Sequence, residues 1–209
     1  MRIENVARQE KRADKFTARF EDGSEIKVSA AQIADFGIYS GRELSANEYD
    51  ELRGKLELSS SKTRALRILG NRSLSTREMQ KRLISKGDSE ETAQKTVEWL
   101  ENIGAVSDEE YAASIVSHYS AKGYGPAKIR DELYRRGIPR EVLDDAMNRL
   151  DENEEAVYEY IKKKLGGNRD KDDLQSVANA LYRRGFSYEE ARTAVRRYVE
   201  LFEEIESAE

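Results

Sequence analysis

Basic side chains interleaved with tyrosines recur just ahead of three glycines, in the phrases Leu83-Ile-Ser-Lys-Gly87, Leu133-Tyr-Arg-Arg-Gly137 and Leu181-Tyr-Arg-Arg-Gly185. That mixture suits a polyanion. Guanidinium groups fork phosphate oxygens, and aromatic rings offer faces on which bases can stack. The set comprises Arg72, Arg77, Lys81, Arg82 and Lys86; then Lys122, Tyr124, Lys128, Arg130, Tyr134, Arg135 and Arg136; then Arg183 and Arg184, with Tyr182 beside them. Glu78, Asp131 and Glu132 lie among these residues, so a solvated, ion-paired face fits the same pattern.

Residues able to break or make bonds are sparse. His118 is the single histidine and there is no cysteine, which leaves no partner for a nucleophile–base pair or a transition-metal site. Asp144-Asp145 and Asp172-Asp173 are adjacent in sequence, so a helix splays each pair by about 100 degrees instead of converging it. We expect no catalytic residue, no metal and no cofactor. Lys122-Gly-Tyr-Gly-Pro-Ala-Lys128 opens a helix with glycines and flanking lysines, which suits either an anion at free N–H groups or a tight interhelical turn. It lacks the Gly-Lys-Ser/Thr ending of a phosphate-binding loop.

The three phrases belong to a longer repeat. Their glycines stand 50 and 48 residues apart, and apolar matches continue at Ala93, Leu143 and Ala191, then Val97, Met147 and Val195, then Leu100, Leu150 and Tyr198. Each copy resolves into three helices: 62–71, 76–86 and 89–102; 108–121, 126–136 and 139–150; 153–165, 173–184 and 188–205. Capping boxes are written at Ser75 to Glu78, Ser107 to Glu110 and Ser187 to Glu190, and Pro126 takes the first helical position of its helix. Met79 and Leu83, Ile129 and Leu133, and Val177 and Leu181 form stripes to be buried against Leu66 and Leu69, Val116 and Tyr119, and Ile161 and Leu165. The repeated glycines read as left-handed helix ends. Trp99 reads as core.

Ahead of the repeats, Ile3 and Val6, Phe16, Ala18 and Phe20, and Ile26 and Val28 alternate as strands do, with a hairpin turn at Glu21-Asp22-Gly23-Ser24. Helices follow at 30–36 and 46–58, and Ser59-Ser60-Ser61 reads as a cap or short linker. The expected fold is mainly α: tandem three-helix repeats in an elongated array behind a small α+β segment. The expected boundaries are 1–58, 61–103, 104–150 and a diverged third repeat over 151–206, with Gly166 to Lys171 as a longer polar loop.

With 38% apolar and 37% charged residues, thin cores shared by amphipathic helices are favoured over one deep core. The net charge of −5 conceals a basic first repeat, with nine basic and six acidic side chains over 61–103, and an acid-rich end, with five acidic and no basic side chains over 200–209. Charge in residues 1–10 and the lack of any long apolar run point to a cytosolic protein away from membranes.

The chain resembles the RecX family of bacterial regulators of the RecA recombinase. The resemblance rests on Ala65-Leu-Arg-Ile-Leu69 with Arg72 and 75–87, on Gly104-Ala-Val-Ser-Asp108 with Tyr111-Ala112, and above all on Lys122-Gly-Tyr-Gly-Pro-Ala-Lys-Ile-Arg-Asp-Glu-Leu-Tyr-Arg-Arg-Gly-Ile138. It implies a mainly α fold of tandem three-helix, helix-turn-helix-like repeats in an elongated curved array that lies in the groove of the RecA–DNA filament, blocks recombinase and coprotease activity in the setting of DNA repair and the SOS response, and binds single- and double-stranded DNA; a monomer is expected. It also implies that the basic faces of the second helices meet DNA or acidic filament surface, starting with Arg77, Lys81, Lys128, Arg130 and Arg135. This copy departs from the often basic family in its acidic total and in placing Asp131 within that face. A sequence-specific helix-turn-helix DNA-binding regulator is the alternative reading, and three similar faces suit a periodic partner better than a single site.

Overall fold

The computed structural model describes residues 1–9, 12–150, 153–168 and 170–208. Two compact units are formed, one by residues 1–72 and 80–102 and the other by residues 73–79 and 103–209.

In the first unit, β1 (Ile3–Gln9), β2 (Arg12–Phe20) and β3 (Glu25–Ser29) make a three-stranded antiparallel sheet in chain order. The expected turn joins β2 to β3, with Gly23 left-handed and the Asp22 carboxylate accepting from the Ser24 backbone and hydroxyl. Ala18 stands opposite Val6 on one side and Ile26 on the other, so the alternation noted above sets the register. Ile3, Ala18, Phe20 and Val28 face α1 (Ala30–Phe36) and α2 (Ala46–Leu69), where Leu52 and Leu56 complete a buried cluster. Phe20 meets Tyr49 edge-on at 5.0 Å.

Helix α2 runs 24 residues without a break, through the serines expected to interrupt it. Serine leaves a helix when its hydroxyl finds a better partner in its own backbone. Here the partners are tertiary. The buried Ser61 hydroxyl donates to Asp88 (2.8 Å) and accepts from Thr96 (2.8 Å), and Ser59 accepts from Gln32 (3.1 Å). Arg64 closes the network on Asp88. A second departure follows from the same register: Ala65 is buried and Leu66 is 47% exposed, because Ser61 and Ala65, four apart, define the inward stripe. Trp99 of α4 (Glu90–Asn102) is half-buried with the Lys62 ammonium 4.7 Å above its ring, instead of deep in the core.

Helix α3 (Thr76–Ser85) begins in the second unit and ends in the first. Its start is capped as expected: Ser75 and Glu78 exchange hydrogen bonds of 3.0 and 3.2 Å, and Leu74 and Met79 are buried.

The rest of the second unit is two helical triplets. Helices α5 (Asp108–Ser120), α6 (Pro126–Arg135) and α7 (Arg140–Asn148) close on Tyr111, Ile115, Ile129, Leu133 and Leu143. Val116 and Tyr119, the expected partners of that stripe, are only partly buried, since α5 turns Tyr111, Ala112 and Ile115 inward. Helices α8 (Glu154–Leu165), α9 (Lys171–Arg183) and α10 (Tyr188–Ala208) close on Ile161, Leu165, Val177, Leu181 and Tyr198. The capping box at Ser187 and Glu190 is reciprocal, whereas the Ser107 hydroxyl accepts from the Glu110 amide and donates to Glu109 instead.

Candidate polyanion-binding face

The second helix of each repeat carries most of the candidate residues, and in the second unit two of these helices meet end to start. The C-terminal end of α9 caps the N-terminal end of α6: the Gly125 amide donates to the Arg184 carbonyl (2.9 Å) and the Ala127 amide to the Gly185 carbonyl (3.0 Å). Donors left open by the first turn of one helix thus meet acceptors left open by the last turn of another. A Cβ built on Gly185 would stand 2.4 Å from the Lys128 nitrogen, and one on Gly125 2.5 Å from the Gly185 carbonyl. Only glycine fits at either place. The joint recurs at the start of α3, where the Ser75 hydroxyl donates to the Arg136 carbonyl (2.6 Å) and the Arg77 stem lies against Gly137.

Arginines immediately before the glycines serve these joints, so Arg136 and Arg184 sit apart from the outward set with which they were grouped. Arg184 donates to the carbonyls of Lys122 and Gly123 and is sandwiched between the rings of Tyr124 and Tyr160, 4.1 Å from each centroid. Tyr124 is thereby turned inward as well. Arg136 donates to Tyr111 and, at 2.7 Å, to Glu132. The Glu132 side chain, 4% exposed, also holds Arg135. Burial pushes the Glu132 carboxyl up, and the hydrogen bonds from Arg136 and Arg135 outweigh it, leaving the group below its ordinary value. Burial, with Glu78 nearby, raises the Tyr111 phenol. Arg130 is engaged with Asp144 at 2.8 Å.

The outward residues are those left over. Lys122, Lys128 and Arg183 are exposed and form no ion pair among the described residues, and the same holds for Arg77 at the start of α3. Tyr134 and Tyr182 occupy the same place in their repeats and are 76% and 59% exposed. In the first unit Arg72, Lys81 and Lys86 are exposed, Arg82 is half-buried, and Ile84, at the tyrosine position, is 38% exposed. Sequence reasoning did not separate the joint-forming arginines from the outward ones. The signal was their fixed place, one residue before each glycine.

These features define a protein of tandem three-helix units whose second helices are coupled end to end within the second unit. Residues 107–147 match the family model described as RecX, second three-helix domain. The regulatory protein RecX of Xanthomonas campestris is 34% identical over 136 residues, 64% of this chain and 84% of the relative. That of Bacillus subtilis is 28% identical over 193 residues, 90% and 73% of the two chains. That of Caldanaerobacter subterraneus is 25% identical over 198 residues, 93% and 98%. A crystal structure of regulatory protein RecX aligns with a TM-score of 0.69 and 20% identity over 94% of this chain and 98% of that one. The chain belongs to the RecX family of regulatory proteins.

Proposed function

We propose that the protein is a non-enzymatic, cytoplasmic regulator that binds the RecA–DNA nucleoprotein filament as a monomer and inhibits its recombinase and coprotease activities, with direct binding of single- and double-stranded DNA as one component. The observation that carries this reading is the recurrence of an exposed aromatic beside exposed basic residues at equivalent places on α6 and α9, whose facing ends are joined by backbone hydrogen bonds. A periodic partner can engage such positions together, and avidity then supplies affinity that no single contact has.

Charge reversal at Lys81→Glu, Lys128→Glu and Arg183→Glu together tests it. Inhibition of RecA strand exchange is lost while helical circular dichroism is retained. Unchanged inhibition by the folded triple variant would refute the assignment of these positions. Arg135 is left alone because its reversal would place a second carboxylate against the buried Glu132.

A further inference from the structure

The second unit carries another surface, of opposite charge, formed by first and third helices. A cleft of about 870 Å³ runs over α5 and α7, with Val116, Val142, Ala146 and Leu150 on its floor. It shares Ser120, Leu150, Asn153, Glu154 and Glu155 with a second cavity of about 440 Å³ over α8 and α10, lined by Val157, Tyr158, Phe186 and Ala194. The two cavities adjoin along those shared residues, as one grooved surface. Glu109, Glu141, Asp145, Glu154, Glu155 and Glu190 stand along it against Arg149 and Arg197. Glu154 is paired with Arg197, but Glu141, Asp145 and Glu155 are exposed and form no ion pair among the described residues.

We propose that this groove docks a basic amphipathic helix of a partner protein. The apolar floor takes the helix's apolar stripe, and the acidic margins take flanking lysines or arginines. Phosphate is repelled by those margins, so the groove is not a second nucleic-acid site. The chain's own last ten residues, with five acids and no basic side chain, have the wrong sign to fill it. The proposal goes beyond the regulator reading and stands whether or not the basic face meets DNA.

The test uses the full chain and a fluorescein-labelled 18-residue leucine–lysine peptide patterned as an amphipathic helix, followed by anisotropy at physiological salt. The combined variant Glu141→Lys, Asp145→Lys and Glu155→Lys is expected to weaken binding at least about tenfold, a coupling of roughly 1.4 kcal/mol or more. A control with the same charge change elsewhere, Asp131→Lys, Glu159→Lys and Asp172→Lys, changes it less than about twofold. Circular dichroism reports that both variants are folded, and Ala194→Glu tests the floor with a single substitution and is expected to weaken binding too. Equal loss in groove and control variants, or equal binding of a peptide with its lysines scrambled off the helical period, overturns the proposal as mere net-charge attraction. Displacement of the peptide by a single-stranded oligonucleotide through the groove residues overturns it in favour of nucleic acid. Self-association abolished by the groove variant overturns it in favour of a second copy.

Discussion

The Arg184 guanidinium lies between the Tyr124 and Tyr160 rings, 4.1 Å from each, and from there reaches the carbonyls of Lys122 and Gly123. One side chain just past the end of a second helix therefore ties that end to the turn that opens the preceding one. Arg184→Ala should cost about 2–3 kcal/mol, since two cation–π contacts and two charge-assisted hydrogen bonds go together. Arg184→Lys should recover less than half, because an ammonium cannot stack flat between two rings. Urea denaturation of the three proteins measures both, and an alanine variant as stable as the parent would mean that Arg184 clamps nothing.

Gly185 and Gly87 hold the same left-handed backbone, with φ of +98° and +97°, yet only Gly185 is crowded. Gly87→Ala should cost about 1–2 kcal/mol, the conformational penalty alone. Gly185→Ala adds a backbone clash with Lys128 that no side-chain rotation relieves, and should cost at least about 2 kcal/mol more. Equal losses in thermal or urea melts would contradict the close joint.

The unbroken α2 makes Ser60 a helix-interior position. It is exposed, so Ser60→Pro tests the backbone alone: about 3 kcal/mol or more is expected for a helix, and little for a linker. Ser61→Ala should cost about 1–2 kcal/mol by leaving buried polar partners unsatisfied, whereas Ser60→Ala should be neutral or slightly stabilising.

Glu132 links pH to stability. Its carboxyl lies below the ordinary value of 4.5 in the folded state, so it contributes stability that is fully present above that value and lost as pH falls through the folded-state value. The stability gap between the parent and Glu132→Gln should be flat from about pH 6 to 8 and shrink below pH 4.5. A gap that widens on acidification would reverse the assignment of charge at this site.

Much of this architecture was legible in the chain. The stripes Ile129 with Leu133 and Val177 with Leu181 are buried as their spacing requires, and the box at Ser75 and Glu78 forms, because both depend on neighbours three or four residues apart. What the chain did not disclose depends on distant partners. Ser61 stays helical because of Asp88 and Thr96, 27 and 35 residues away. Arg184 and Arg183 are alike in composition and propensity, and only the position of Tyr160 and the turn at Gly123 makes one a clamp and leaves the other outward. The division of these basic residues into joint and surface was thus not legible in the chain.

Filament binding by α6 and α9 is measured by co-sedimentation with RecA filaments assembled on single-stranded DNA, comparing the parent with a variant carrying Lys128→Glu, Arg183→Glu, Tyr134→Ala and Tyr182→Ala. These four residues are exposed on α6 and α9, and Lys128 meets the joint through its backbone and Cβ, which glutamate keeps. Filament affinity is expected to fall at least about tenfold with the thermal melt unchanged, a difference of roughly 1.4 kcal/mol or more in binding. Parental affinity in that folded variant would mean that α6 and α9 do not carry the filament contact.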